Sequence, residues 1–296
     1  MYKVITTFFS FFIVFNSQSQ VIEIKKTISD SKTKITIAYA TIQILNSQKY
    51  LDADFNGKFN LLVDNNDSLE ISCIGFEKTK FKVSDILKRD TLYIKNISKT
   101  METVYIGKFE KKIIGTVNEK SNTSSTGGNI AARTEFAMLI DVPTDIKAYR
   151  ISKIYIKGKK FKEENPVRLH IYDTDINGLP GKELLNKERI ITNNDADGKT
   201  VTIDLLDQEI ILKKSTFFVS IQWITSDKVK IFTGPEIYET YKNSKQLTFR
   251  RQQNIKNNTW FGNFKKNMMI FYPSVNPEND TPVNIMTSAE IEILEK

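Results

Sequence analysis

The chain has 296 residues, of which 40% are hydrophobic and 26% charged. That balance excludes a disordered chain and is long enough for two domains of ordinary size. Its 43 basic residues against 35 acidic ones give a net charge of +8, which would suit an anionic partner but is also the balance of a lysine-rich surface without long runs of like charge. One histidine and one cysteine exclude an internal disulfide and a zinc peptidase site, which needs two or three such ligands at close spacing.

The first twenty residues, MYKVITTFFSFFIVFNSQSQ, carry an early cation, Lys3, then an apolar stretch from Val4 to Phe15 and a small polar tail. This is the order of an export signal, and the apolar stretch is short for a bilayer span. Cleavage is expected near residues 19–21, and no later segment is apolar enough to anchor the mature chain. Export to the periplasm, the outer-membrane surface or the medium follows, and it makes nucleic acid a poor partner.

Short runs of period-two alternation come next: Val21–Ile28, Ile35–Leu45, Lys58–Val63, Ser68–Ile74, Phe81–Val83 and Thr91–Asn96, separated by Asn, Asp, Gly and Ser clusters. Such spacing predicts an antiparallel sandwich, with one helical turn at Ser84–Asp90. Within LEISCIGF the alternation points Cys73 into a core as a small hydrophobe. Periodicity then lapses through Met101–Asn129, which ends in a Ser/Thr/Gly cluster and reads as a linker with a mobile loop over 121–129. The expected layout is a signal at 1–20, a first sandwich at 21–98, a linker at 99–130 and a second sandwich at 131–296. Nine or so further strand patterns, from TEFAMLIDV to AEIEIL, suit a jelly-roll-like pair of sheets. Only GKELLNK admits a helical turn there.

Two stretches, DADFNG from Asp52 and DTDING from Asp173, begin like calcium-binding loops. Position twelve of such a loop needs a bidentate acid, but falls on Val63 and Leu184, and neither stretch is flanked by helices. Asn56-Gly57 and Asn177-Gly178 between apolar alternations read instead as hairpin turns. DADGK at Asp195–Lys199 reads as a third.

Residues 24–95 resemble a carboxypeptidase regulatory-like domain, the small transthyretin-like sandwich of many bacterial envelope proteins. The resemblance rests on Ile24, Lys26, Ile28 and Asp30 at the opening, and on Thr36, Ile37, Ala40, Ile42 and Ile44 after it. Asp54, Gly57, Phe59 and Leu61 match the family's turn, and Leu69, Ile71, Ser72, Gly75 and Phe76 a later segment. The family's opening glycine and its proline are absent, while the hydrophobic spacing is kept. Such domains carry no catalytic residues. The resemblance implies a seven-strand transthyretin-like sandwich in a cell envelope, beside an outer-membrane protein partner; with the later strand patterns, the expected fold is all-β, that sandwich followed by the larger jelly-roll-like one.

No catalytic residue, metal or cofactor is expected. His170 shares one strand face with Arg168 and Tyr172 and reads as a structural or surface residue rather than a base. No G-x-S-x-G elbow presents a serine. A glycosidase needs only two carboxylates, which the sequence cannot select. Aromatics crowd the later part, with Trp260 and Phe261 placed among turn formers in NNTWFGNF, Tyr238 and Tyr241 before them, and Arg250 and Arg251 in FRRQQN. These six form the candidate ligand-binding set, suited to a sugar or peptide; Trp223 reads as core. The leading expectation is a non-catalytic envelope module that binds glycan or peptide. The alternatives are a purely structural component and a carboxylate-dependent glycoside hydrolase.

Overall fold

The computed structural model describes residues 21–47, 49–97, 107–116, 125–126, 135–159, 166–192, 195–197, 200–224, 248–253, 259–265, 268–273 and 283–295. The expected signal at 1–20, Tyr238, Tyr241 and most of the loop at 121–129 lie outside them.

The first sandwich has seven strands. They are β1 (Val21–Asp30), β2 (Thr41–Ile44), β3 (Lys49–Asp52), β4 (Lys58–Asp64), β5 (Ser68–Ser72), β6 (Thr79–Lys82) and β7 (Thr91–Ile94). One sheet is ordered β4-β1-β7 and the other β3-β2-β5-β6. Alternation explains the faces: Ile24 and Ile28 of β1, Ile42 and Ile44 of β2, and Leu69 and Ile71 of β5 are all buried between the sheets. The expected helical turn is present as α1 (Val83–Ile86), which adds Val83 and Ile86 to that core. Edge strand β6 exposes Lys80 and Lys82, which discourages pairing with another chain.

The second sandwich uses β8 (Glu110–Gly115), β9 (Ser125–Thr126), β10 (Glu135–Asp141), β11 (Ala148–Lys159), β12 (Val167–Thr174), β13 (Pro180–Glu183), β14 (Arg189–Ile191), β15 (Ala196–Asp197) and β16 (Thr200–Asp204). It continues with β17 (Ile211–Leu212), β18 (Thr216–Trp223), β19 (Thr248–Gln253), β20 (Thr259–Lys265), β21 (Met268–Pro273), β22 (Val283–Ile285) and β23 (Thr287–Glu295). One sheet runs β13-β12-β18-β10-β20-β21, with β14 also on β12. The other is built on β11, which pairs with β16, β17, β19 and β23. The core between them includes Ile154, Leu169, Ile171, Phe217, Ile291 and, as expected, Trp223.

Two local expectations are corrected. GKELLNK forms no helical turn, because Gly181–Glu183 belong to β13. The segment read as linker contains β8, which pairs along β23 from Ser288↔Gly115 to Ile293↔Glu110. Its sequence, EKKIIG, is charged and mostly exposed, so it shows no alternation. Backbone pairing along β23 and the buried Ile114 hold it, and Lys111 adds ion pairs to Glu290 at 3.1 Å and Glu292 at 3.5 Å. Glu290 also accepts from Ser152 and Tyr155. Burial opposes its charge, but those donors and Lys111 hold its carboxyl below the usual range.

The two calcium-like stretches are the same hairpin turn used twice. Asp54 Oδ1 accepts the backbone N–H groups of Asn56 and Lys58, both at 2.8 Å, and Gly57 sits at φ 73°. Asp175 Oδ1 accepts from Asn177 and Leu179, again at 2.8 Å, and Gly178 sits at φ 76°. Glycine reaches this left-handed region without strain. The preceding acids serve elsewhere: Asp52 accepts the Thr41 hydroxyl at 2.7 Å, and Asp173 accepts the Lys182 N–H at 2.6 Å. Asp54→Ala and Asp175→Ala should therefore each cost about 1 kcal/mol in denaturant unfolding. Calcium should leave the wild-type melting temperature where it is.

Candidate functional site between the two sandwiches

Strand β12 is buried on both faces. Val167, Leu169 and Ile171 point into the second core, and the opposite face carries Arg168, His170 and Tyr172. Register extends this polar face across the sheet: Arg168 lies opposite Gln222 and His170 opposite Ser220, while Glu135 lies opposite Gln222 from the other side. Cross-strand partners share a face. The first sandwich covers that face, so it is an internal boundary rather than a solvent surface.

Arg168, only 4% exposed, is the centre of the contact. Its Nη2 donates to the Tyr39 carbonyl at 2.6 Å and to Asp52 at 3.4 Å, both in the first sandwich. Its Nε donates to Glu188 at 2.5 Å and its Nη1 to Gln222 at 2.7 Å, both in the second. Burial disfavours the cation, but Glu188 and Asp52 outweigh it and hold the guanidinium firmly charged. Beside it, Cys73 Sγ donates to Glu188 at 3.4 Å. Ile74 packs against the second core, and Gly75 lies so close to Asn186 that a Cβ there would stand 2.5 Å from its carbonyl oxygen.

Cys73 thus packs at the edge of the first core, as its alternation implies, but its sulfur faces the boundary. Burial and the nearby Glu188 carboxylate push the thiol far up, which removes the nucleophilic thiolate. In the native protein Cys73 should resist alkylation at pH 8 and react fully only after unfolding, which a thiol titration checks.

Next to this contact a cleft of about 480 Å³ opens between the sandwiches. One wall comes from β2, β3 and β5 and the residues after them, including Gln43, Tyr50, Ser72 and Phe76. The other carries Glu135, His170, Tyr172 and Glu183. His170 Nδ1 bonds Glu183 Oε2 at 2.6 Å, and its ring stacks on Tyr172 with centroids 5.3 Å apart. Glu183 is itself fixed, because its Oε1 accepts the N–H groups of Ile171, Leu184 and Leu185 at 3.0–3.2 Å. Glu135 accepts from Ser220 at 2.6 Å and from Gln222 at 3.3 Å. Burial works against a charged imidazole, but Glu135 and Glu183 prevail, so His170 titrates above its ordinary value. Burial and the same two carboxylates push the Tyr172 hydroxyl well up. His170 lines the cleft, and its Nε2 is buried and has no hydrogen-bond partner among the described residues.

Of the six residues singled out from sequence, Tyr238 and Tyr241 lie outside the described residues. Trp260 and Phe261 lie inside β20, paired with β10 on one side and β21 on the other, rather than in a turn. Arg250 and Arg251 lie in β19 of the opposite sheet. Trp260 does share a cross-strand row with His170, running Trp260, Ala137, Ser220, His170. Three strand spacings put roughly 14 Å between the ends of that row. Phe261 belongs to the neighbouring row with Phe136, Ile221 and Leu169. The residues that sequence reasoning missed are Glu135, Glu183 and the first-sandwich wall. The available signal was the polar run Arg168, His170, Tyr172 matched by Ser220 and Gln222 at the same spacing on another strand.

No protein-family model and no curated protein matches the chain. Among solved structures, the chain is similar to a clostridial cysteine protease, Cwp84, after propeptide cleavage, at 10% identity and a TM-score of 0.40 over 92% of this chain and 71% of that one. The cysteine protease and lectin-like domains of Cwp84, a surface layer associated protein of Clostridium difficile, align at 9% identity and TM-score 0.39, covering 92% and 63%. BcpA, the major pilin subunit of Bacillus cereus, aligns at 15% identity and TM-score 0.20, covering 90% and 70%. Scores this low assign the chain neither a fold family nor an activity.

Proposed function

We propose that the chain is an exported, non-catalytic binding module that holds a glycan or peptide in the cleft between its sandwiches. The export signal read at residues 1–20 supports the location, and the unsatisfied, buried Nε2 of His170 at the cleft wall carries the binding reading. A buried polar atom without a partner costs free energy that a ligand can recover. The carboxylates around it favour binding over hydrolysis. Glu183 is engaged by His170 and three N–H groups, and Glu135 by Ser220 and Gln222. Neither is left as an uncommitted acid or base. A purely structural role in an envelope assembly is the second reading, favoured by Arg168, which donates to acceptors in both sandwiches.

The test is a screen of the mature protein against glycan and peptide arrays, with Tyr50→Ala as the control on the first-sandwich wall. Binding that Tyr50→Ala weakens, without turnover of the bound glycan, is the expected result. Hydrolysis lost in both Glu135→Gln and Glu183→Gln would instead make the chain a glycosidase, and absence of binding would leave the scaffold reading.

A further inference from the structure

Resting on the cleft as a binding site, we infer that its ligand is a neutral saccharide that seats an acceptor oxygen on the Nε2–H of His170. The charges of the cleft point this way. Glu70, Glu135, Glu183 and Glu188 stand against Lys78, Arg168, Lys182 and a protonated His170, so the lining is balanced in sign. An ionic ligand would meet repulsion as well as attraction.

All of these charges but Lys182 are also already engaged. Glu188 pairs with Arg168, Glu183 with His170, and Glu70 lies 3.9 Å from Lys78 and 3.7 Å from Lys80. Glu135 is taken by Ser220, Gln222 and the Tyr172 hydroxyl, and Arg168 donates to four acceptors. Lys182, at the exposed rim, is outside the ion pairs described.

The polar atom of the His170 ring left without a partner among the described residues is Nε2, buried beside the cleft that His170 lines. With Nδ1–H donated to the Glu183 carboxylate, Nε2 bears a proton when the ring is charged and a lone pair when it is neutral. The charged ring, favoured by Glu183 and Glu135, therefore offers one donor to a ligand oxygen. Hydroxyl and amide groups of Ser72 and Gln43, with the apolar surfaces of Tyr50 and Phe76, give the opposite wall the mixed character that sugar rings take up. The ligand oxygen is thus a carbonyl, as in an acylated amino sugar, or a hydroxyl.

Because His170 is the chain's sole histidine, its imidazole signals in an untagged protein are unambiguous by NMR. The experiment titrates wild-type protein with neutral oligosaccharides, acylated and not, with uronate-containing oligosaccharides and with peptides. His170 is followed from pH 5 to 9 in each. Expected is binding of a neutral saccharide that shifts the His170 Nε2 resonance and raises its titration midpoint by about one unit. By linkage, the saccharide then binds about tenfold more weakly above that midpoint than below it. His170→Gln, which keeps a donor, should bind more tightly than His170→Leu. Saccharide binding that leaves the His170 signals unmoved would overturn this inference but keep the cleft as a binding site if Tyr50→Ala still weakens it. Preference for uronates or peptides would overturn the neutral-ligand assignment alone. No binding by any probe would overturn both this inference and the binding role.

Discussion

Arg168→Ala is expected to destabilise the protein by about 3–5 kcal/mol, the largest single-residue effect outside the cores. The guanidinium is 4% exposed and donates to Tyr39, Asp52, Glu188 and Gln222. Truncation leaves the Asp52 and Glu188 carboxylates buried without their counter-charge, and it also opens the seam between the sandwiches. Arg168→Lys should recover only part of the loss. A lysine has one nitrogen and cannot reach acceptors on both sides of the boundary in the planar fork that guanidinium provides. Urea unfolding of the three proteins measures it. If Arg168→Ala were neutral, the contact would be incidental to stability.

Glu183→Ala should cost about 3 kcal/mol, because the Ile171 and Leu185 N–H groups lose the carboxylate, Leu184 keeps only the Ile171 carbonyl, and His170 loses its partner. Its signature is in the pH dependence. The folded-state value of His170 lies above the ordinary 6.5. A group shifted upward contributes stability that is full below its unfolded value and is lost as pH rises through its folded value. Wild-type stability should therefore carry a component that declines with rising pH from about 6.5 upward. Glu183→Gln keeps an acceptor for the three N–H groups but removes the charge, so it should lose that component more than it loses stability at pH 8. A pH-independent difference between wild type and Glu183→Gln would mean that Glu183 is not what raises His170, leaving Glu135 as the cause.

Strand identity was legible wherever one face met a core and the other met water. Ile24 and Ile28, or Leu69 and Ile71, announce their strands by alternation alone. The turns were legible too, since Asp-x-Asn-Gly encodes both the side-chain acceptor and the left-handed glycine. Strand β8 was not, because Lys111 and Lys112 hide it and its partner β23 lies more than 170 positions away. Trp260 and Phe261 were misplaced because Asn257, Asn258 and Gly262 look like turn formers, yet pairing on both sides overrides that propensity. The cleft depends on how one sandwich faces the other. Polar residues at Arg168, His170 and Tyr172 look like a solvated face until Tyr39, Asp52 and Cys73 are brought against them.

The central claim is that the two sandwiches are one cooperative unit, joined through Arg168, with the cleft as a permanent feature between them. The chain carries a reporter on each side: Trp223 and Trp260, the only tryptophans, in the second half, and the single Cys73 in the first, whose sulfur on the boundary also reports opening of the seam. Urea unfolding followed by tryptophan fluorescence and by pulsed thiol labelling of Cys73 tests the claim directly. Coincident midpoints in the wild type, separating in Arg168→Ala, are predicted. A Cys73 transition well below the fluorescence transition in the wild type would contradict it, showing that the seam opens or the first half unfolds while the second is still folded.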